Sequence, residues 1–178
     1  MKIILDEMNG MANSLNDQHI NQYIEKLSDL MLQGDSRKLK FIGLGAGRMG
    51  YSLKAFIMRL SHMGYNATFI GDTNVPRVTS NTVVFVNSSS GETPSIALYV
   101  KQAKEAQGHI FTTTCNMKSI ISMYSDCIIE LPKIKSEQLM KSAYEQFTML
   151  LYDYIVIQLM SSLDLDSTFV TNNHSILE

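Results

Sequence analysis

Seven consecutive residues, Asn87-Ser88-Ser89-Ser90-Gly91-Glu92-Thr93, gather four hydroxyls and a glycine within a chain of 178 residues. Serine and threonine hydroxyls donate to phosphate oxygens without adding charge of their own, so such a run suits a ligand that already carries a phosphate monoester. The flanks sharpen this reading. Thr82 to Val86 is β-branched apart from Phe85 and reads as a buried strand, while Ile96, Ala97, Val100, Ala103 and Lys104 recur at helical spacing. A strand-to-helix junction presents free N–H groups at the positive end of a helix, which favours anions. Ser88, Ser90 and Thr93 are therefore candidate phosphate ligands, with Ser89 and the Gly91 amide beside them. The same run also reads as an ordinary serine-rich loop in which Glu92 and Thr93, as first-turn residues, favour helix initiation.

A second chemistry-bearing segment, Gly45-Ala46-Gly47-Arg48-Met49-Gly50, matches G-x-G-x-x-G, and Asp72 follows at the distance of a ribose-binding acid. A dinucleotide enzyme also needs room for a second substrate and a hydride acceptor, and the chain has no catalytic domain beyond the sheet. Glycines serve equally well wherever backbone must approach a sugar phosphate closely. Gly47 and Arg48 are accordingly candidates to border a sugar, with Arg48 able to pair with phosphate or with Glu92. Thr73 and Asn74 are candidates for sugar hydroxyls, or plain turn residues.

These loops must be positioned by a sheet. Strands are predicted at Leu39 to Leu44, Ala67 to Ile70, Thr82 to Val86, His109 to Thr114 and Cys127 to Leu131, with helical stretches after most of them. Alternation of this kind predicts a three-layer, doubly wound α/β domain with a five-stranded parallel sheet, whose ligands sit beyond the carboxyl ends of the strands. An N-terminal helical region of roughly residues 1–35 precedes the sheet, with Ile20, Tyr23, Ile24, Leu27, Leu30 and Met31 on its apolar stripe and Gly34 as its stop. A long helix from about Ser136 to Leu163 and a polar tail over about 164–178 complete a single domain.

Composition narrows the function classes. A net charge of −2 leaves no electrostatic footprint for nucleic acid or anionic lipid. Phe147 to Met160 contains Asp153 and is shorter than a membrane span, so it reads as a buried helix. Cys115 and Cys127 are too few and too far apart for a zinc site or a disulfide framework, and no secretory pattern follows Lys2. A reducing, cytoplasmic setting is expected.

Taken together, Gly45 to Gly50 with Lys54-Ala55-Phe56-Ile57-Met58-Arg59-Leu60-Ser61-His62-Met63-Gly64, Gly71-Asp72-Thr73, Ser88 to Thr93, Ser142-Ala143-Tyr144-Glu145-Gln146 and the terminal His174-Ser175-Ile176-Leu177-Glu178 resemble sugar isomerase (SIS) domains. Within that superfamily the chain looks most like the 6-phospho-3-hexuloisomerase family. Ser89 departs from the glycine usual in that family's cradle, and Ser175 and Ile176 depart from its usual tail. The resemblance implies interconversion of D-arabino-hex-3-ulose 6-phosphate and fructose 6-phosphate in the ribulose monophosphate route of formaldehyde fixation, after hexulose-phosphate synthase. Such a reaction passes through a 2,3-enediolate and requires no metal, nicotinamide or other cofactor. An arabinose 5-phosphate type isomerase and a noncatalytic phosphosugar sensor are the alternatives.

What the resemblance implies can be assigned by residue. Glu145, on the long helix, is the expected carbon base, and His174 the group that moves protons between O2 and O3. In related isomerases such a histidine reaches a neighbouring subunit's site. A homo-oligomer, most simply a tetramer, is therefore expected, and Phe147, Leu150, Leu151, Ile155 and Leu159 supply apolar surface for it. The other histidines have weaker claims, with His62 expected to pack or cap on the first sheet helix.

Overall fold

The computed structural model describes residues 1–33 and 38–176; the expected helix stop at Gly34 and the last two tail residues lie outside them. Periodicity in the N-terminal region resolves into two helices, α1 (Lys2–Asn13) and α2 (Asp17–Gln33). Five strands follow, β1 (Lys40–Gly45), β2 (Asn66–Phe69), β3 (Thr82–Asn87), β4 (His109–Thr114) and β5 (Cys127–Glu130). They pair in the order β2-β1-β3-β4-β5, all parallel. Each expected strand is present, with ends moved by one residue at most.

Alternation along β3 explains the layers, because successive side chains point to opposite faces. Val83 and Phe85 join Phe41 and Phe111 on one face, under α1, α2, α3 (Gly47–His62) and α6 (Ser142–Ser162). Val84 and Val86 join Ile42, Leu44 and Ile110 on the other, covered by α4 (Pro94–Glu105) and α5 (Ile120–Tyr124). Aromatic rings tie the thicker layer together: Phe56 meets Phe85 edge-on at 5.0 Å and stacks on Tyr152 at 4.9 Å between centroids. Such pairs add about 0.5–1.5 kcal/mol beyond the area they bury.

The chain runs from β1 outward to β2, then returns to place β3 on the other side of β1. This reversal is the topological switch point, where the loops after the two central strands part and leave a crevice. Gly45 and Asn87, the last residues of β1 and β3, pair in register, so both loops leave the sheet at one level.

Two expectations change. The late helix starts at Ser142, six residues beyond the expected Ser136, because residues 136–138 are held by Glu7 of α1. Its carboxylate accepts from Ser136 Oγ at 2.8 Å, the Glu137 amide at 2.8 Å and Gln138 Nε2 at 2.9 Å. Those bonds, led by Gln138, also hold the Glu7 carboxyl below the usual carboxylate range. The polar tail, in turn, contains a six-residue helix, α7 (Ser167–Asn172), capped by Asp166, whose side chain accepts from the Thr168 amide at 3.1 Å. No helix among the described residues is long and apolar enough to cross a membrane.

Candidate active site

Helix α3 leaves β1 almost without a loop, and glycine makes this possible. A Cβ on Gly50 would lie 2.6 Å from the Gly45 carbonyl oxygen, so strand end and first helical turn approach closer than any side chain allows. Packing thus accounts for Gly45 and Gly50, while Gly47 has open space around it and is placed by its left-handed backbone at φ 56°. Asp72 is engaged in holding its own turn: it accepts from the Phe69 amide at 2.9 Å and faces Lys54 Nζ at 3.4 Å.

Beyond β3, residues 88–93 form a compact hydroxyl-rich loop. Ser88 Oγ accepts from the Gly91 amide at 3.2 Å and lies 3.5 Å from Thr93 Oγ1, while Ser90 Oγ accepts from the Glu92 amide at 3.2 Å. Backbone bonds pin the loop to the end of β4, with the Ser88 amide donating to Thr113 O at 3.1 Å and the Cys115 amide to Ser89 O at 3.0 Å. Ser89 carries its Cβ without left-handed backbone, and its hydroxyl rests 3.6 Å from Cys115 Sγ. Burial pushes that thiol up, which keeps Cys115 protonated behind the loop.

Glu92 lies outside the helical turns and reaches across to α5, where its carboxylate accepts from the Ile120 amide at 3.1 Å. Arg48 pairs instead with Glu145: its Nε donates to Oε2 at 2.5 Å. The Glu145 side chain is 14% exposed and that of Arg48 is 64% exposed, so the carboxylate is sheltered while its partner reaches toward solvent.

Below this pair lies a buried polar knot. Asn87 Nδ2 donates to Met49 O at 2.9 Å, Ser52 Oγ at 2.9 Å and Thr148 Oγ1 at 3.2 Å, and Thr148 Oγ1 donates to Glu145 O at 3.1 Å. One amide thereby ties the first turns of α3 and α6 to the end of β3. The arrangement fixes the Arg48 and Glu145 backbones relative to the serine loop.

Together these elements enclose a cavity of about 560 Å³. Ala46, Gly47, Arg48 and Met49 come from α3 and its entry, Asn87, Ser88, Ser89, Ser90 and Thr93 from the end of β3 and its loop, and Met140, Lys141 and Glu145 from the start of α6. All three helices meet it with their N-termini, and none has a side-chain cap: Ala46, Thr93 and Lys141 occupy the N-cap positions without a capping bond. α5 and α7, by contrast, are capped by Ser119 and Asp166. Uncapped N–H groups and the positive ends of three dipoles favour an anion in the crevice, and the serine and threonine hydroxyls add neutral donors.

Of the residues singled out in the sequence, Gly47, Arg48, Ser88, Ser89, Ser90, Thr93 and Glu145 line this one cavity. Gly91 does not: at φ 68° it faces inward, where an added Cβ would fall 2.0 Å from Ser119 Oγ, and its amide is used by Ser88. Thr73 sits on an exposed turn after β2 and is absent from the lining. His174 is also absent. Its ring packs 4.8 Å from that of His62, and Asn173 Nδ2 donates to the His62 carbonyl at 3.0 Å. His62 stands at the far end of α3 from Arg48, about 20 Å along the axis at the usual helical rise. Within one chain, then, the terminal histidine lies away from Glu145.

Sequence reading missed Asn87 as an organiser, although it opens the hydroxyl run, because its role depends on Ser52 and Thr148 from two other elements. It also missed Lys141, which nothing local distinguishes from a solvated lysine.

Fold and site together define a doubly wound α/β protein whose crevice, at the topological switch point, is lined by hydroxyls, three uncapped helix N-termini and a carboxylate. The SIS domain model matches residues 35–155, and the chain belongs to the SIS domain family. It is 33% identical to a protein of Bacillus subtilis (strain 168) named 3-hexulose-6-phosphate isomerase, over 98% of this chain and 95% of that one. A protein of the same name from Methanocaldococcus jannaschii is 27% identical, over 96% of each chain. Among solved structures, a hypothetical protein of Methanococcus jannaschii, whose structure was taken to infer a function as 3-hexulose-6-phosphate isomerase, superposes with a TM-score of 0.83 at 26% identity, covering 99% of this chain and 98% of that one.

Proposed function

We propose that this protein interconverts D-arabino-hex-3-ulose 6-phosphate and fructose 6-phosphate, with hexulose-phosphate synthase supplying the first of these. The carrying observation is that a sheltered carboxylate, Glu145, and the hydroxyl loop of Ser88, Ser90 and Thr93 face one cavity. The full-length likeness to relatives named for this reaction supports the choice of sugar.

In this reading the phosphate sits against the serine loop and the N-terminus of α4, which leaves the middle carbons of an extended six-carbon chain near Glu145. The carboxylate takes the C2 proton of the 3-ketose, and the electrons of the C–H bond form the C2–C3 double bond of an enediolate. Moving a proton from O2 to O3 and returning the carbon proton at C3 completes the transfer of the carbonyl to C2. Arg48 orients Glu145 through its Nε and borders the sugar with Gly47, while Thr73, exposed on the turn after β2, lies outside the cavity and takes no part in this reading. His174 carries the oxygen-to-oxygen proton transfer from a neighbouring subunit in a homo-oligomer, a tetramer in the simplest case. Phe147, Leu151, Ile155 and Leu159, expected to supply an interface, are instead buried in the chain's own core; the exposed Leu150, Tyr154 and Ile157 of α6 support association, since a helix apolar on all sides requires cover.

A panel of phosphosugars, with uptake of deuterium from heavy water as readout, tests this function. Turnover of the 3-hexulose phosphate above arabinose 5-phosphate is expected. Tight binding without exchange would make the chain a sensor instead.

A further inference from the structure

We propose that Lys141 supplies the cationic ligand for the phosphate held at Ser88 to Thr93, a role that rests on the phosphosugar reading above. Lys141 lines the same cavity as the serine loop, yet its backbone forms the N-cap of the 21-residue helix α6. Both features are locally unfavourable. Lysine has no side-chain oxygen with which to cap, and a cation at a helix N-terminus opposes the dipole. The preceding Met140 is bent into left-handed backbone at φ 55°, a conformation that a long side chain seldom adopts. An anion in the cavity removes the electrostatic conflict, because it is attracted by the helix terminus and by the lysine at once.

Charge accounting in the cavity points the same way. Arg48 is already matched by Glu145 at 2.5 Å, and the serine and threonine ligands are neutral. A phosphate monoester dianion bound there has no counter-charge except Lys141 among the cavity's side chains. The ammonium stands 5.3 Å over the Tyr144 ring. Tyr144 is buried and fixed by accepting from the Ile134 amide at 3.1 Å, so it makes a firm platform. The Lys141 charge also favours the Cys115 thiolate, and Cys115 touches the Ser89 hydroxyl, so the field of the ammonium reaches the serine loop. Lys141 therefore serves binding at the phosphate end and leaves carbon chemistry to Glu145.

Inorganic phosphate titrated by calorimetry into the full chain tests the assignment without requiring turnover. In Lys141→Gln its affinity is expected to fall by about tenfold or more, the loss typical of a bond to a charged group. The KM for phosphosugar should rise by a similar factor with kcat nearly unchanged, and Lys141→Arg should restore most of both. Affinity that falls in Ser90→Ala but not in Lys141→Gln overturns this inference and leaves the serine loop as the phosphate site. Affinity unchanged in both variants overturns the phosphosugar reading with it. A lower kcat at constant KM in Lys141→Gln also refutes the proposal, since it moves the lysine to the reacting carbons.

Discussion

Replacing Glu145 by glutamine removes a basic carboxylate while preserving its shape, and the structure separates the consequences. The glutamine amide oxygen can still accept from Arg48 Nε, so the side chain should keep its place in the cavity. Arg48 is largely exposed, which limits the stability of the ion pair to about 1 kcal/mol or less. For a chain of this length that corresponds to a fall in Tm of about 2–4 °C at most. The phosphate end of the site is untouched, so affinity for inorganic phosphate should stay close to that of the unaltered protein. Proton abstraction loses its base, and positioned general bases contribute about 10²–10⁴ in rate. Exchange of the C2 and C3 hydrogens with heavy water, followed by NMR, should therefore fall at least a hundredfold at saturating phosphosugar. Exchange above about a tenth of the original rate, with the variant folded and binding, would refute the assignment of Glu145 as the base.

Ser90→Ala should weaken phosphosugar binding by about 1.5–3 kcal/mol in calorimetry, the usual loss of a hydrogen bond to a charged group, with Tm little changed. Gly91→Ala should destabilise the protein by about 2 kcal/mol or more in denaturant titration, because alanine disfavours φ 68° and its Cβ would press on Ser119; an unshifted midpoint would mean that the loop is not built as described. Mixing Glu145→Gln chains with His174→Ala chains, each expected to be inactive, should restore some turnover after subunit exchange if His174 completes a neighbour's site. A fully active monomer would remove that requirement.

The sequence alone determined the strands and their order along the chain, since strand and helix periods are local and a buried parallel strand shows as an unbroken apolar run, as Val83 to Val86 of β3 does. It also picked out the two loops that come to line one cavity, because Gly45 to Gly50 and Ser88 to Thr93 stand out by residue type at a strand's carboxyl end. Tertiary structure decided what those residues face. Gly91 lies beside the hydroxyls in sequence yet turns toward Ser119, and Glu92 leaves its own helix for α5. Arg48 meets Glu145 from 97 positions away, and Asn87 becomes a knot through Ser52 and Thr148. Met140 and Lys141 enter the cavity because Glu7 of α1 restrains residues 136–138 and delays the start of α6. Each of these contacts joins residues distant in the chain, and its energy depends on a geometry that exists only after the sheet and both helical layers have packed.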